Sequence, residues 1–135
     1  MSVLIDSSAW IEYLRATGSP AAAEVRRLLS SEADTVVMCE PVAMEILAGA
    51  TSDAAHAKLE RLVNGLPSLR IDDALDFRSA AAIFRRARRI GRSIRSINDC
   101  LIASVAIRHE VPLIHRDADY VVIAAITPLT ARSFV

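Results

Sequence analysis

Residues 2–10, SVLIDSSAW, carry three branched apolar side chains into an aspartate and then into two serines ahead of an aromatic, helix-like segment. This order predicts a short buried strand from Ser2 to Ile5, an acid at Asp6, and Ser7 or Ser8 as the N-cap of a helix beginning near Ala9. It returns near the other end of the chain, where VPLIH (111–115) reads as a strand, RDAD (116–119) as a loop and YVVIAAI (120–126) as a short helix. Between them TVVMCE (35–40) is β-branched and apolar, and Pro41 sits well as the first residue of a helix through Leu47, with Gly49 ending it. Strands that alternate with helical segments need crossover connections. The pattern therefore predicts an α/β fold of three α/β/α layers, with a mostly parallel central sheet and helices on both faces.

The remaining segments fit between these. Residues 20–30 predict a helix with Pro20 at its start and Ala22, Val25, Leu28 and Leu29 on one face. Residues 52–64 read as helical, GLPSLRI (65–71) as a turn into a short strand, and Asp73 or Asp76 opens a long helix, DFRSAAAIFRRARR, closed by Gly91. A further helix is expected from Ser96 to about His109, and the last residues are expected to add at most an edge strand. No internal repeat, low-complexity tract or linker interrupts the chain.

With 135 residues, and ~100–200 residues per domain as the usual size, residues 1–135 are expected to form a single domain. Hydrophobic residues make up 53% of the chain and aromatic ones only 4%, so the core is expected to be aliphatic, as suits helices layered on a sheet. MSVLIDSSAW lacks a basic leader and a long apolar run, and CLIASVAI (100–107) falls far short of the ~20 residues that span a bilayer. A cytoplasmic protein with no membrane association is the expectation. Cys39 and Cys100 lie far apart in apolar sequence and are expected to be buried free thiols. The 16 basic and 16 acidic residues balance, which excludes attraction of the whole surface to nucleic acid. Their distribution is uneven: Arg85, Arg86, Arg88, Arg89, Arg92 and Arg95 fall in one short segment, and Lys58 is the only lysine.

The acids carry the chemistry. Asp6 and Asp117 each follow an apolar strand, and ligands of parallel sheets bind in the crevice beyond the strands' carboxyl ends. Either acid alone could simply cap a helix. Glu45, inside EPVAMEILAG (40–49), falls on a small apolar face, where a carboxylate must reach solvent, pair with an arginine or hold a metal. Asp99 stands third after Ser96 ahead of an apolar run, the spacing of a capping box, yet a helix start inside the crevice also aims its first-turn side chains at the ligand. Asn98 is placed to assist. Together with Asp119, these acids can converge at one end of the sheet, where they would repel one another without a cation. A set of oxygen donors with no histidine or cysteine suits Mg²⁺, with Mn²⁺ also possible. His56, His109 and His115 lack the spacing of metal ligands and are expected on the surface or in the core.

LIDSSAWIEYLR (4–15), PVAMEILAG (41–49), SINDCLIASVAIRH (96–109) and LIHRDADYVVIA (113–124) together resemble PIN-domain ribonucleases, specifically the VapC toxins of bacterial toxin–antitoxin pairs. Each stretch alone is a weak motif, but the ordered set spans nearly the whole chain. The resemblance places the family's acidic positions on Asp6, Glu45, Asp99 and Asp117, with Asp119 as a more variable neighbour, and the hydroxyl after the first acid on Ser8; many relatives carry Thr where Ser7 stands. It implies a PIN-like fold, a homodimer, dependence on Mg²⁺ or Mn²⁺, and cutting of tRNA or ribosomal RNA that inhibits translation. It also implies a VapB-type antitoxin that blocks the acidic cleft.

On this reading Asp6, Asp99 and Asp117 hold the main metal, with Asp119 as a further ligand. Glu45 completes the site or orients the attacking water, while Ser8 holds a ligand carboxylate or a bound water. The arginines Arg85, Arg86, Arg89, Arg92 and Arg95 are the expected contact for an RNA backbone, although a solvated helix end is the simpler account of such a run. Arg116 lies beside the acids and touches phosphate or pairs with Asp119. Apolar helices such as AWIEYL carry more hydrophobic area than a small monomer readily hides, which favours a dimer or a bound partner. Two other readings share the strand-end acid. A Mg²⁺-dependent phosphatase or phosphotransferase wants an aspartate where Ser8 stands and a lysine that Lys58 is misplaced to supply. A non-catalytic interaction module would keep the same fold with its acids as caps.

Overall fold

The computed structural model describes residues 1–135. Its five strands are β1 (Val3–Ile5), β2 (Val36–Cys39), β3 (Ser68–Leu69), β4 (Leu113–His115) and β5 (Ala131–Ser133). Its seven helices are α1 (Ser7–Leu14), α2 (Pro20–Ser31), α3 (Glu40–Ala48), α4 (Asp53–Asn64), α5 (Asp76–Arg89), α6 (Ile97–Arg108) and α7 (Ala118–Ile126). The strands lie in the order β3-β2-β1-β4-β5 and every neighbouring pair is parallel. From β1 the chain moves outward to β2 and β3, then crosses back to β4 on the other side. The strand order thus reverses between β1 and β4, the place where parallel sheets open a crevice at their carboxyl ends.

The short strands are continuous apolar runs because they are covered on both faces. Leu4, Ile5, Val36, Leu113 and Ile114 are fully buried, and Trp10 of α1 is buried with them rather than left at an interface. A buried leucine such as Leu4 replaced by alanine typically costs about 2–5 kcal/mol. α6 is buried almost all round, from Cys100 to Ala106, as its unbroken apolar sequence requires. Burial pushes the thiols of Cys39 and Cys100 up to about 12 and about 11, which leaves both inert.

Several boundaries differ from the expectation, each for a local reason. α1 starts at Ser7, two residues early, because Asp6 itself is the N-cap and accepts from the Ser8 N–H at 3.0 Å. α3 begins at Glu40 rather than Pro41, and Gly49 closes it at φ −80°, an ordinary right-handed geometry. Gly91, after α5, does adopt the left-handed conformation at φ +77°, and no atom crowds the place of a side chain there. α5 opens at Asp76, one of the two expected starts, but Asp76 does more than begin the helix. It is buried and takes two hydrogen bonds from the Arg108 guanidinium, at 2.9 and 2.8 Å, so it ties α5 to α6. No helix is long and apolar enough to cross a membrane.

Candidate active site

β1 and β4 run side by side, Ile5 opposite Ile114, and the Asp6 N–H donates to the Ile114 carbonyl at 2.9 Å. Just beyond this pair the strands give way to α1 and α7. Asp6 caps the first and Asp117 the second, where its Oδ1 accepts from the Asp119 N–H at 2.9 Å. Capping and site-building are therefore not alternatives here. The turn that caps each helix also fixes a carboxylate at the mouth of the crevice.

α3 and α6 bring the other two acids. Glu45 is half-buried, pairs with no arginine, and accepts a hydrogen bond from Ser7 Oγ at 2.9 Å. Asn98 supports the same carboxylate and also donates through Nδ2 to the Pro41 carbonyl at 3.3 Å, which ties the start of α6 to the start of α3. Ser96 makes no side-chain cap, so the expected capping box is absent and Asp99 is released from that role. Asp99 is instead buried among the other acids.

Two overlapping groups of carboxylates result. Ligand oxygens of Asp6, Glu45 and Asp99 lie within 4.8 Å of one another, and so do those of Asp99, Asp117 and Asp119. Such crowding is costly for negative charge. Burial first, and then the charges of Asp6, Asp117, Glu45 and Asp119, push the Asp99 carboxyl from its ordinary 3.8 up to about 8. Glu45 is raised as well, by burial and by Asp6 and Asp117, against the hydrogen bonds from Ser7 and Asn98. A divalent cation relieves this conflict in the way a proton does, and the all-oxygen donor set is the kind that Mg²⁺ and Mn²⁺ accept.

Tyr120 is the functional residue that the sequence reading missed. Fully buried in α7, it donates its hydroxyl to Asp6 Oδ1 at 2.7 Å and lies 3.4 Å from Asp99 Oδ1. Burial and the same two acids push its own ionisation well above the ordinary value, so the group stays a donor. With Ser8 N–H on Oδ2, both oxygens of Asp6 are held. His115 packs against Tyr120 with ring centres 5.1 Å apart. Its Nδ1 accepts from the Asp117 N–H at 3.2 Å, and burial lowers its pKa, so it is a neutral core residue as expected.

Of the two hydroxyls, the one on a carboxylate is that of Ser7 and not that of Ser8. Ser7 holds the carboxylate of Glu45, whereas Ser8 Oγ accepts from the Arg116 N–H at 2.9 Å and so braces β4 against α1. The reason is the early start of α1, which turns Ser7 toward α3. Arg116 does not pair with Asp119; its guanidinium pairs with Glu12 of α1. Of the arginine cluster, Arg95 alone reaches the acids, with Nη2 at 2.9 Å from Asp117 Oδ1 and Nε at 3.2 Å from Asp119 Oδ2. Arg85, Arg86, Arg89 and Arg92 are exposed along α5 and just beyond it, and Arg88 lies over Phe84 at 5.7 Å.

Residues 3–126 match the PIN domain family profile. The chain belongs to the PIN-domain family. Within it, the chain is 67% identical over 132 residues to Ribonuclease VapC11 of Mycobacterium tuberculosis (strain ATCC 25618 / H37Rv), a span that covers 98% of each protein. It shows the same identity and coverage against a VapC ribonuclease of Mycobacterium bovis. Among solved structures, the VapBC-1 complex of nontypeable Haemophilus influenzae superimposes with a TM-score of 0.76 at 17% identity, covering 99% of this chain and 98% of that one. The VapBC2 complex of Rickettsia felis, bound to a promoter DNA fragment, gives 0.73 at 17% identity with full coverage of both chains. At that identity the structural likeness speaks for the fold. The fold expected from the sequence is thus the fold of this PIN domain, and its acid cluster stands at the sheet's carboxyl edge.

Proposed function

We propose that this PIN domain is a metal-dependent endoribonuclease toxin of the VapC type, which hydrolyses phosphodiester bonds of tRNA or ribosomal RNA, inhibits translation and is neutralised by a VapB-type antitoxin. The observation that carries the reading is the convergence of Asp6, Glu45 and Asp99, with ligand oxygens within 4.8 Å, at the switch point of a parallel sheet. The high identity to VapC ribonucleases supports the activity, and the VapBC complexes among the structural neighbours support the antitoxin.

Asp6, Asp99 and Glu45 would hold a divalent cation, Mg²⁺ or Mn²⁺, and Asp117 and Asp119, which form a second group with Asp99, complete the charge of the site. When bound, such a cation supplies Lewis-acid chemistry: it neutralises phosphate charge and makes water a competent nucleophile near neutral pH. The chain's own residues do the rest. Tyr120 and the Ser8 N–H fix the Asp6 carboxylate, so it meets its ligand without reorganising. Glu45, steadied by Ser7 and Asn98 and raised in pKa, takes the proton of the attacking water. The water oxygen bonds to phosphorus as the bond to the 3′ oxygen breaks, and that oxygen takes a proton from solvent, leaving a 5′-phosphate and a 3′-hydroxyl. Exposed arginines of α5 contact the RNA backbone.

Exposed apolar side chains, among them Leu14, Met44, Phe77 and Ile97, are the surface on which a second copy and the antitoxin would pack. The activity is tested by incubating end-labelled total RNA with the purified protein and Mg²⁺, Mn²⁺ or EDTA, beside Asp6→Asn prepared identically. Discrete metal-dependent fragments that vanish in the variant are expected. Cleavage that persists in EDTA or in Asp6→Asn would reject the assignment.

A further inference from the structure

The two carboxylate groups share Asp99 but are not equivalent. The Asp6–Glu45–Asp99 group has only neutral donors around it, Ser7, Tyr120, Asn98 and the Ser8 N–H. The Asp99–Asp117–Asp119 group already contains a cation, because the Arg95 guanidinium bridges Asp117 and Asp119. The Arg95 backbone N–H also donates to Asp119 Oδ2 at 3.0 Å, so Asp119 is held in place by the main chain ahead of α6 whatever the side chain does. We propose that Arg95 is the resident cation of the second group, so that the chain binds one divalent ion, at Asp6, Glu45 and Asp99, and Arg95 supplies the other positive charge to the phosphodiester. The inference rests on the ribonuclease reading and deepens it.

The chemistry of the two cations favours this division. Mg²⁺ dehydrates reluctantly and demands near-octahedral oxygen geometry. To enter the second group it would have to displace a guanidinium from two of the three carboxylates. Arginine stays charged at every relevant pH and presents its donors as a fixed planar fork. Of about five N–H donors on the group, Nε and one on Nη2 serve Asp119 and Asp117. The rest are free. The side chain is 75% exposed, so those donors face the solvent from which a phosphate arrives. In sites with two metals, the second ion clamps the leaving oxygen of an in-line displacement. A guanidinium tethered between Asp117 and Asp119 would supply a fixed charge of that kind. Arg116, the other arginine at this edge, pairs with neither Asp117 nor Asp119 but with Glu12 of α1 instead.

The test counts bound ions in RNA-free protein, by titrating Mn²⁺ and reading the free ion by electron paramagnetic resonance. Wild type is expected to bind one Mn²⁺ per chain, Arg95→Lys one, and Arg95→Gln two, with the second ion lost again in Arg95→Gln/Asp119→Asn. Circular dichroism checks that each variant is folded. Two ions in wild type would overturn the proposal even if Arg95→Gln proved unstable, and one ion in both wild type and a folded Arg95→Gln would overturn it equally. At saturating RNA, Arg95→Gln is expected to lose at least tenfold in kcat, partly recovered in Arg95→Lys; an unchanged kcat would remove the phosphate role. Because the ion count needs no substrate, its failure is distinguishable from failure of the nuclease assignment, which would appear as absence of cleavage by wild type.

Discussion

Asp99→Asn isolates the electrostatic cost of the acid cluster. The wild-type carboxyl titrates at about 8 in the fold against an ordinary 3.8. In metal-free protein it therefore keeps a proton that the unfolded chain gives up. The stabilisation from this group is fully present below about pH 4 and is lost as pH rises through about 8. Each pH unit inside that window costs about 1.4 kcal/mol, so raising pH from 5 to 7 should remove about 3 kcal/mol of stability. Asparagine keeps the shape and never ionises. In EDTA, urea denaturation followed by circular dichroism should show wild-type stability falling steeply across this range and Asp99→Asn falling less, with the residual slope coming from Glu45. The variant should match wild type within about 1 kcal/mol near pH 4.5 and exceed it by about 2–3 kcal/mol near pH 7, because it folds without having to take up a proton at this position. Added Mn²⁺ should restore wild type, since the ion replaces the proton, and do little for the variant. Parallel pH profiles for the two proteins would refute the reasoning, because the cluster would then impose no charge penalty at Asp99.

Other expectations follow from single interactions. Tyr120→Phe removes only the hydroxyl on Asp6 and should weaken Mn²⁺ binding about tenfold, the usual effect of removing a partner that orients a ligand; Tyr13→Phe, near the other end of α1 and outside the cluster, is the control and should bind as wild type does. Arg108→Met strands the buried Asp76 carboxylate and should cost about 2–4 kcal/mol in urea unfolding, below the cost of breaking a fully buried pair because Arg108 is 30% exposed. Neutralising Arg85, Arg86 and Arg89 together should flatten the salt dependence of RNA binding by about one unit of slope for each phosphate that is no longer neutralised, as measured by filter binding across a salt series; an unchanged slope would show that α5 is merely solvated.

What could be read from the sequence divides along the distance over which each residue finds its partner. Asp6 and Asp117 were legible because an apolar run of strand length ending on an acid is a local pattern, and the same turn both caps a helix and points at the crevice. Glu45 was legible through its apolar surroundings. The resemblance puts the supporting hydroxyl on Ser8, but one residue in a helix turns a side chain by about 100°, and in the fold it is the Ser7 hydroxyl that reaches Glu45. Tyr120 gave no signal, since an aromatic inside YVVIAAI reads as core and only the fold brings its hydroxyl to Asp6, 114 residues away in sequence. Arg95 looked like one more member of a basic run. Its pairing with Asp117 and Asp119 arises because the segment before α6 passes the start of α7, a juxtaposition that only the parallel sheet creates. Asp76 opens α5 as the sequence indicates, but its partner Arg108 stands 32 residues later and is visible only in the fold.

The most direct test of the central claim is the chemistry of the cut ends. Fragments from a Mg²⁺-dependent digest are tested for a 5′-phosphate, by ligation or phosphatase-dependent labelling, and for the state of the 3′ end. Water activated among Asp6, Glu45 and Asp99 predicts a 5′-phosphate and a free 3′-hydroxyl. A 2′,3′-cyclic phosphate with a 5′-hydroxyl would mean that the RNA's own 2′-hydroxyl is the nucleophile, and would contradict the account.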